Sequence, residues 1–371
     1  MKTMLKIRKK TRTFFESFGS FILLLLTLSL AGCGGDNPAA SPQAAALTPN
    51  FVSVKANVES ALAKIQSRKL NSRDNTPWVI AAALFALGKD LEVTVAETGM
   101  SMKAYEYLCK EARYQNQRIF RTLNGQPALP TRGLTFGLTD SFKIQDHVDQ
   151  YLSVFAEIGV ATDQSIVSDD GVTYTVANMV EASTRNFTPS QELGWTLISL
   201  SVYGDAVKPF ITDANETFTL ENVIALANRR DLQNESRWGT HQLYAMGFAL
   251  RRHLISGGRL DGSWAEARAF LDRYIALAKR YQQSDGAFSA DMFWGSSAPD
   301  SHDLLMETTG HMLMWLNMAL TTNELREPWI LSAIDRLSRE VLTTDFSVIG
   351  DSAIYMTGHA LKQFDTLMSM Q

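Results

Sequence analysis

Two kinds of helix-length segment alternate along the chain from residue 51 onward, and this alternation limits the fold more than any other feature. Apolar residues recur there at the spacing of an α-helix, with little sustained alternation of period two. The first kind of segment is apolar on every face and must therefore be surrounded by protein. Six segments have this character: 78–88, 151–159, 193–204, 243–250, 311–320 and 355–368.

The second kind of segment has a single apolar stripe. In residues 264–281, Trp264, Ala267, Phe270 and Tyr274 fall on one stripe, while charged residues occupy the opposite face. Such a helix packs inward through its stripe and exposes its outer face to water. The same pattern occurs at 52–68, 102–120, 172–185, 219–230 and 328–342.

Six one-sided and six all-apolar segments in strict alternation predict an all-α fold, an (α/α)6 toroid of six outer and six inner helices. We expect residues 51–371 to form this single domain. The alternative is an open superhelix of helical repeats, which would favour a fixed repeat length and polar terminal repeats. The unequal spacing of similar segments favours the ring. Helix starts are predicted at Thr76-Pro77, at Thr188-Pro189-x-Gln191 and at Pro328.

The first residues have the pattern of an export signal. Six basic residues precede the apolar run FILLLLTLSL, which is too short to span a bilayer comfortably. The run ends in Leu30-Ala31-Gly32-Cys33, which resembles the lipobox of bacterial lipoproteins. The resemblance implies a signal peptide at 1–32, cleavage before Cys33 and lipidation of Cys33. A membrane anchor that is not cleaved remains the alternative.

A lipidated Cys33 would hold the protein on a membrane without crossing it. Residues 33–50 then form a flexible tether, because they are small, proline-containing and almost uncharged. We expect a cell-envelope protein that faces outside the cytoplasm. Gly34 after the cysteine favours the outer membrane over the inner one by resemblance to bacterial sorting signals.

The balance of charge argues against nucleic acid as a partner. The whole chain has a formal charge of -4, and removal of six basic residues and one acidic residue with the signal peptide makes the mature chain about -9. The predicted partners are therefore the membrane, through the lipid, and a possible glycan; we expect a monomer. Cys109, the second of two cysteines, lies in a helical pattern and is predicted to be a packed small residue.

A local motif supports the toroid. Gln282-Gln283-Ser284-Asp285-Gly286-Ala287-Phe288 resembles the glutamine and aromatic repeat of terpene-cyclase and prenyltransferase toroids. The resemblance implies a structural role, in which Gly286 permits a tight turn, Asp285 bonds the nearby backbone and Phe288 packs across the joint. No aspartate-rich cyclisation motif is present, which disfavours terpene cyclisation. Blocks within 145–345 are also similar to an uncharacterised group of exported bacterial proteins, which implies no activity.

Histidines recur at similar places in the pattern. His241 follows Gly-Thr, whereas His311 and His359 follow Thr-Gly, and we expect each at the entrance of an inner helix. His147 opens the second inner helix and Trp195 the third. If the ring closes, these side chains surround one mouth of it. The alternative is structural, with each histidine bonding a neighbouring carbonyl and orienting a loop.

Carboxylates accompany these histidines. Asp303, Glu307 and His311 are spaced four apart and would share a helical face, and Glu192 precedes Trp195. We predict Glu307, Asp303 and Glu192 as acid or base groups. The predicted substrate-binding residues are His311, His241, His359, His147, Trp195 and Trp294, with Trp294 stacking on a sugar.

These residues favour a protein that cleaves or binds an envelope or extracellular glycan; if it is an enzyme, it would be a glycan hydrolase or lyase. The competing hypothesis is a non-catalytic envelope scaffold that binds a protein or peptide, and a lipid-binding toroid is a third. We predict no cofactor and no metal. A zinc site formed by His241, His311 and His359 stays open, although no local zinc motif such as H-E-x-x-H is present.

Overall fold

The computed structural model describes residues 49–129, 144–205 and 208–370. The predicted signal peptide (1–32), Cys33 and nearly all of the tether lie outside the described residues. The described residues form an all-α fold with minor two-stranded sheets. Twelve α-helices occur in them: α1 (Phe51–Gln66), α2 (Pro77–Leu87), α3 (Ala104–Lys110), α4 (Gln150–Glu157), α5 (Val176–Arg185), α6 (Gly194–Tyr203), α7 (Leu220–Ala227), α8 (Thr240–Ile255), α9 (Gly262–Tyr281), α10 (His302–Ala319), α11 (Pro328–Thr343) and α12 (Asp351–Ser369).

The burial of these helices alternates as the sequence predicts. In α2, nine of the eleven residues are buried, and in α10 the buried residues cover all faces. In α9, by contrast, the buried residues are those of the predicted stripe: Trp264, Ala267, Phe270, Leu271, Tyr274 and Ala278. The even-numbered helices are therefore the apolar ones and the odd-numbered helices are one-sided.

The apolar helices pack mainly against one another. Helix α2 contacts α4, α4 contacts α6, α6 contacts α8, α8 contacts α10, and α10 contacts α12. Helix α12 in turn packs against α2, and the one-sided helices α1 and α11 pack against each other. Their apolar side chains form one continuous core. None of the helices in the described part of the chain is both long and apolar enough to cross a membrane.

The periodicity of the sequence does not predict the β-hairpins. Five antiparallel pairs occur among the described residues: β1 (Glu92–Thr94) with β2 (Ser101–Lys103), β3 (Arg113–Tyr114) with β4 (Gln117–Arg118), β5 (Arg121–Leu123) with β6 (Gln126–Ala128), β7 (Ser165–Val167) with β8 (Thr173–Thr175), and β9 (Phe210–Ile211) with β10 (Thr217–Phe218). Three of these hairpins lead directly into the one-sided helices α3, α5 and α7.

The predicted helix over 102–120 and the predicted helix start at Thr188 are wrong. Residues 102–120 do not form one helix: α3 ends at Lys110, and Gln115 and Asn116 adopt positive φ angles of 51° and 66° that turn the chain into the β3–β4 hairpin. Thr188 does not begin a helix either. Its N–H donates to the Gln191 side chain at 3.0 Å, but the four residues form a turn and α6 begins only at Gly194.

Thr76 caps α2 and Pro77 is its first residue, as the sequence predicts. The segment 282–288 also makes the expected local contacts. The Ala287 N–H donates to Asp285 at 3.0 Å, and Phe288 packs edge-on against Trp329 with ring centroids 6.2 Å apart. Gly286 has a φ of 95°, and a Cβ there would lie 2.4 Å from the Ser332 carbonyl oxygen, so only glycine fits.

Candidate functional site

Three side chains from distant parts of the sequence meet at the entrances of the apolar helices. His147 precedes α4, Glu192 lies in the turn before α6, and His241 is the second residue of α8. Nδ1 of His147 lies 2.6 Å from Oε2 of Glu192, and Nδ1 of His241 lies 3.5 Å from Oε1. The carboxylate therefore sits between two imidazoles, in a hydrogen bond with one and at longer electrostatic range from the other. We call these three residues the entrance cluster.

Trp195 forms one wall of the entrance cluster. Its ring centroid lies 4.9 Å from that of His241 and 5.8 Å from that of His147. The two histidine rings are perpendicular, with centroids 4.9 Å apart. Gly194, the first residue of α6, allows this close approach, because a Cβ there would lie 3.2 Å from the His241 carbonyl oxygen.

His147 is held in place through Asp149. Asp149 adopts a left-handed conformation with a φ of 59°, and its carboxylate accepts hydrogen bonds from Ser183 of α5, at 2.7 Å, and from Thr196 of α6. Burial raises the pKa of Asp149, although these two hydrogen bonds oppose the shift. The segment that carries His147 is thereby fixed to two helices.

Glu192 is held in place through Arg230. The Arg230 guanidinium donates to the carbonyl oxygens of Pro189 and Gln191, the latter at 2.9 Å. It also lies 3.5 Å from the Glu235 carboxylate. Arg230 follows α7, so the end of that helix fixes the turn that presents Glu192.

The backbone just before α8, which carries His241, has an unusual conformation. Arg237, Trp238 and Gly239 have successive φ angles of 50°, 53° and 79°, and α8 begins directly after them. Left-handed conformations at two residues with side chains cost free energy and persist only where the surroundings impose them. Arg237 forms an ion pair with Glu307 of α10, which links this segment to the neighbouring helix.

The electrostatics of the entrance cluster leave Glu192 as the charged group. Burial acts to raise the pKa of Glu192, but its interactions with His147 and His241 outweigh burial and lower the pKa to about 2. Burial lowers the pKa of His241 to about 3, against the opposing effect of Glu192. At neutral pH the site therefore holds an ionised carboxylate and a neutral His241 imidazole.

His311 lies beside the entrance cluster, with its ring centroid 5.5 Å from that of His241. Its Nδ1 lies 2.7 Å from the Glu307 carbonyl oxygen, so Nδ1 carries the proton and donates. Burial lowers the pKa of His311, with a smaller opposing effect of the Glu307 charge. The prediction that His311 and His359 stand at helix entrances is wrong, because α10 begins at His302 and α12 at Asp351.

His359 belongs to a second, separate buried network. Its Nδ1 lies 2.9 Å from the Phe85 carbonyl oxygen, and its Nε2 lies 2.7 Å from Nε2 of Gln363. Gln363 also donates to Tyr244 at 2.8 Å, and Tyr244 donates to Glu157. His359 donates from Nδ1 to the Phe85 carbonyl, and its Nε2 also lies 3.1 Å from Oε1 of Glu157. The network joins α2, α4, α8 and α12.

Two further predicted residues lie apart from the entrance cluster. Asp303 is exposed and accepts a hydrogen bond from the Gly350 N–H at 2.9 Å, which anchors the start of α12. Trp294 is 40% exposed and packs edge-on against Phe293, with ring centroids 6.3 Å apart. The structure thus brings together His147, Glu192, Trp195, His241, His311 and Glu307 among the predicted residues.

Three residues that support the site were not predicted from the sequence: Arg237, Arg230 and Asp149. No local signal in the sequence points to Arg237 or Arg230, because their partners lie on other elements. Asp149 carries a weak signal, since aspartate is one of the few residues that tolerate a left-handed backbone at a helix entrance.

A metal ion is one ligand that the entrance cluster suits. One donor atom from each of His147, Glu192 and His241 lies within 4.8 Å of the others. The zinc set considered from the sequence, His241 with His311 and His359, is not brought together, because His359 lies in the second network.

Comparison with known proteins gives no relative. No protein-family model, no curated protein and no solved structure matches this chain.

Proposed function

We propose that this protein is a cell-envelope enzyme that cleaves a glycan by acid–base chemistry at the entrance cluster. The observation that carries the proposal is the Glu192 carboxylate, largely buried between two imidazoles and 2.6 Å from His147. A carboxylate bonded to one imidazole nitrogen orients the ring and makes its other nitrogen a better base. His147 is the more exposed of the two imidazoles, so a substrate can reach it more readily.

In this proposal His147 takes a proton from the attacking water and delivers it to the leaving sugar oxygen as the glycosidic bond breaks, which balances the hydrolysis. Glu192 orients the ring of His147, and His241 and Trp195 form the wall against which the substrate lies. Glu307 and Asp303, which the sequence suggests as acid or base, are given other roles. Glu307 holds Arg237, and Asp303 anchors the backbone of Gly350. Trp294 keeps its proposed role of stacking on a sugar ring, which its exposure permits.

We base the proposal of a glycan substrate on the location and the architecture that we expect for this protein. The lipobox-like sequence before Cys33 implies an anchored protein facing the envelope or the exterior, where glycans are abundant. We further propose that the helices form an (α/α)6 toroid. The successive contacts of the apolar helices, the packing of α12 on α2 and the packing of α1 on α11 support a closed ring.

The lipid anchor has its own test. Mass spectrometry of the N-terminal peptide should find a fatty-acylated Cys33 in the protein isolated from membranes. The Cys33→Ser variant should no longer be processed. An unmodified cysteine preceded by residues 1–32 would overturn this part of the proposal.

The enzymatic proposal is tested with the full-length protein purified in detergent and a panel of envelope and extracellular glycans. We expect the wild type to produce new chain ends from at least one of them. Glu192→Gln should lower the rate by roughly 100-fold or more, because the ring of His147 loses its charged partner. His359→Gln is the control, since His359 lies outside the entrance cluster, and it should retain the rate.

A second candidate is the non-catalytic envelope scaffold that binds a protein or peptide. The arrangement of His359 and His311 supports it, since His359 is engaged at both ring nitrogens and His311 bonds its own helix. Structural histidines of this kind need no substrate. The scaffold would replace the enzyme if no glycan is bound or cleaved by the wild type and Glu192→Gln lowers only the melting temperature.

A further inference from the structure

We propose that His147, Glu192 and His241 bind one divalent metal ion, and that Zn²⁺ fits the donor set best. The three residues come from separate elements, yet one donor atom of each lies within 4.8 Å of the others. This inference departs from the sequence-based expectation of a protein without a metal.

The distances are close to those a bound ion requires. Zinc takes imidazole nitrogen and carboxylate oxygen at about 2.0–2.2 Å, which puts the donors of a tetrahedral site about 3.3 Å apart. His241 Nδ1 and Glu192 Oε1 are 3.5 Å apart, and His147 Nδ1 and Glu192 Oε2 are 2.6 Å apart. These two distances end on different oxygens of Glu192, and no separation within the set exceeds 4.8 Å, so loading requires the donors to move by about 1.5 Å or less relative to one another.

An independent observation points to a ligand. The His241 side chain is only 7% exposed, and its Nδ1 has no hydrogen-bond partner among the described residues. A buried nitrogen without a partner is costly, and functional sites are where such groups persist. A metal ion facing Glu192 would occupy the lone pair of this nitrogen.

The donor types select the metal. Two imidazoles and one carboxylate suit zinc and similar first-row ions rather than Mg²⁺ or Ca²⁺, which prefer oxygen ligands alone. Three protein ligands leave a fourth position for water or substrate, the arrangement typical of catalytic rather than structural zinc. Asp149 and Arg230 would act as the supporting residues, because they fix the segments that carry His147 and Glu192.

With an ion on its Nδ1, His147 would carry its proton on Nε2 and would be a ligand instead of the base, and a water on the ion would supply the nucleophile. The inference rests on the proposed function only for glycan cleavage, and binding itself is tested without a glycan. The full-length protein in detergent is stripped with a chelator, incubated with ZnCl₂ and passed over a desalting column. Elemental analysis should then find about one zinc per chain. A competition titration with a chromophoric chelator gives the affinity.

Glu192→Gln and His241→Gln should each weaken zinc binding by about 100-fold. The control is His302→Gln, which removes an exposed histidine outside the entrance cluster and should bind zinc as the wild type does. Far-ultraviolet circular dichroism checks that the variants are folded. A second measurement needs no variant: Co²⁺ bound to the wild type should give the intense visible absorption of a tetrahedral site.

No retained zinc in the wild type, or equal affinity in the wild type and both cluster variants, overturns the inference. So does a cobalt spectrum of the weak octahedral type. Zinc binding without cleavage of any glycan would remove the proposed function and leave the metal site. Full cleavage by the stripped protein together with no retained zinc would remove the metal site and leave the proposed function.

Discussion

His147 and Glu192 are joined by a 2.6 Å contact although 45 residues separate them in the sequence. Neither side chain lies within a helix; each stands on a short segment just before one. Such segments have few backbone hydrogen bonds of their own, so other residues must fix them. Asp149 does this for His147 and Arg230 for Glu192.

Arg230→Met should therefore disturb the entrance cluster without unfolding the protein. Methionine keeps most of the apolar stem but loses the hydrogen bonds to the carbonyls of Pro189 and Gln191. We expect zinc affinity to fall by roughly tenfold, as is usual for residues that orient metal ligands. Arg229→Met, one residue earlier on an exposed side chain, is the matched control. Equal zinc affinities of the two variants would show that Arg230 does not position Glu192.

Gly194→Ala tests the close approach of α6 to α8. The new methyl group would lie 3.2 Å from the His241 carbonyl oxygen, so one helix must shift. We expect a loss of about 1 kcal/mol in the free energy of unfolding, measured in urea. Gly295→Ala is the control, because its Cβ would meet its nearest neighbour at an ordinary 3.5 Å. If Gly295→Ala loses as much free energy of unfolding as Gly194→Ala, the close approach of α6 to α8 is not the cause of the loss.

Tyr244→Phe tests the second buried network. The ring is 1% exposed, and the hydroxyl donates to Glu157 and accepts from Gln363. Removing it leaves both partners incomplete, which should lower the free energy of unfolding by about 1–3 kcal/mol. Tyr355→Phe is a sharp control, because the buried Tyr355 hydroxyl has no hydrogen-bond partner among the described residues. Its removal should cost nothing measurable by thermal or urea unfolding.

Periodicity was sufficient to predict the helices because it reflects burial directly. The stripe of α9 and the all-apolar character of α2 and α10 are properties of the sequence alone. The hairpins were not predicted because their strands are only two or three residues long, too short to show a period. The sequence did contain signals for the starts of the helices that follow two of these hairpins. Thr175 with Asn178 and Thr219 with Asn222 form capping boxes that start α5 and α7.

The sequence was sufficient to predict which residue types form the candidate site, but not which of those residues contact each other. Histidine, carboxylate and tryptophan were expected at helix entrances, and His147, Glu192, Trp195 and His241 stand there. His311 was predicted at a helix entrance because its apolar run begins there, but Ser301 caps α10 ten residues earlier. The partnership of His147 with Glu192, and that of Arg237 with Glu307, depend on how distant elements pack. Spacing in the sequence does not encode such pairs.

Cys109 should be chemically inert in the folded protein. The side chain is 1% exposed, and burial raises the pKa of the thiol to about 12, so almost no thiolate forms at pH 8. If Cys33 is lipidated as we propose, a maleimide reagent should label no thiol under native conditions and one thiol in urea. The Cys109→Ser variant should label none in either. Rapid native labelling that disappears in Cys109→Ser would contradict the burial of this residue.

Glu340 provides a test that depends on pH. Its side chain is 4% exposed and pairs with Arg336 and with His302, the first residue of α10. Burial acts to raise the pKa of Glu340, but the hydrogen bonds from Arg336 and His302 outweigh it, and the pKa is lowered. A carboxyl whose pKa is lowered by folding adds stability above its unfolded pKa, and this contribution is lost as the pH falls through the folded value.

Glu340→Ala should therefore lower the free energy of unfolding by roughly 3 kcal/mol at pH 7, because Arg336 loses a buried partner. The difference in the free energy of unfolding between this variant and the wild type should shrink as the pH is lowered below about 4.5. At lower pH the stabilisation by the ionised Glu340 carboxylate is progressively lost from the wild type. Urea unfolding at several pH values measures this, with Glu59→Ala on the exposed face of α1 as the control. A difference that stays constant from pH 7 to pH 3 would mean that packing of the side chain, and not its charge, carries the stabilisation.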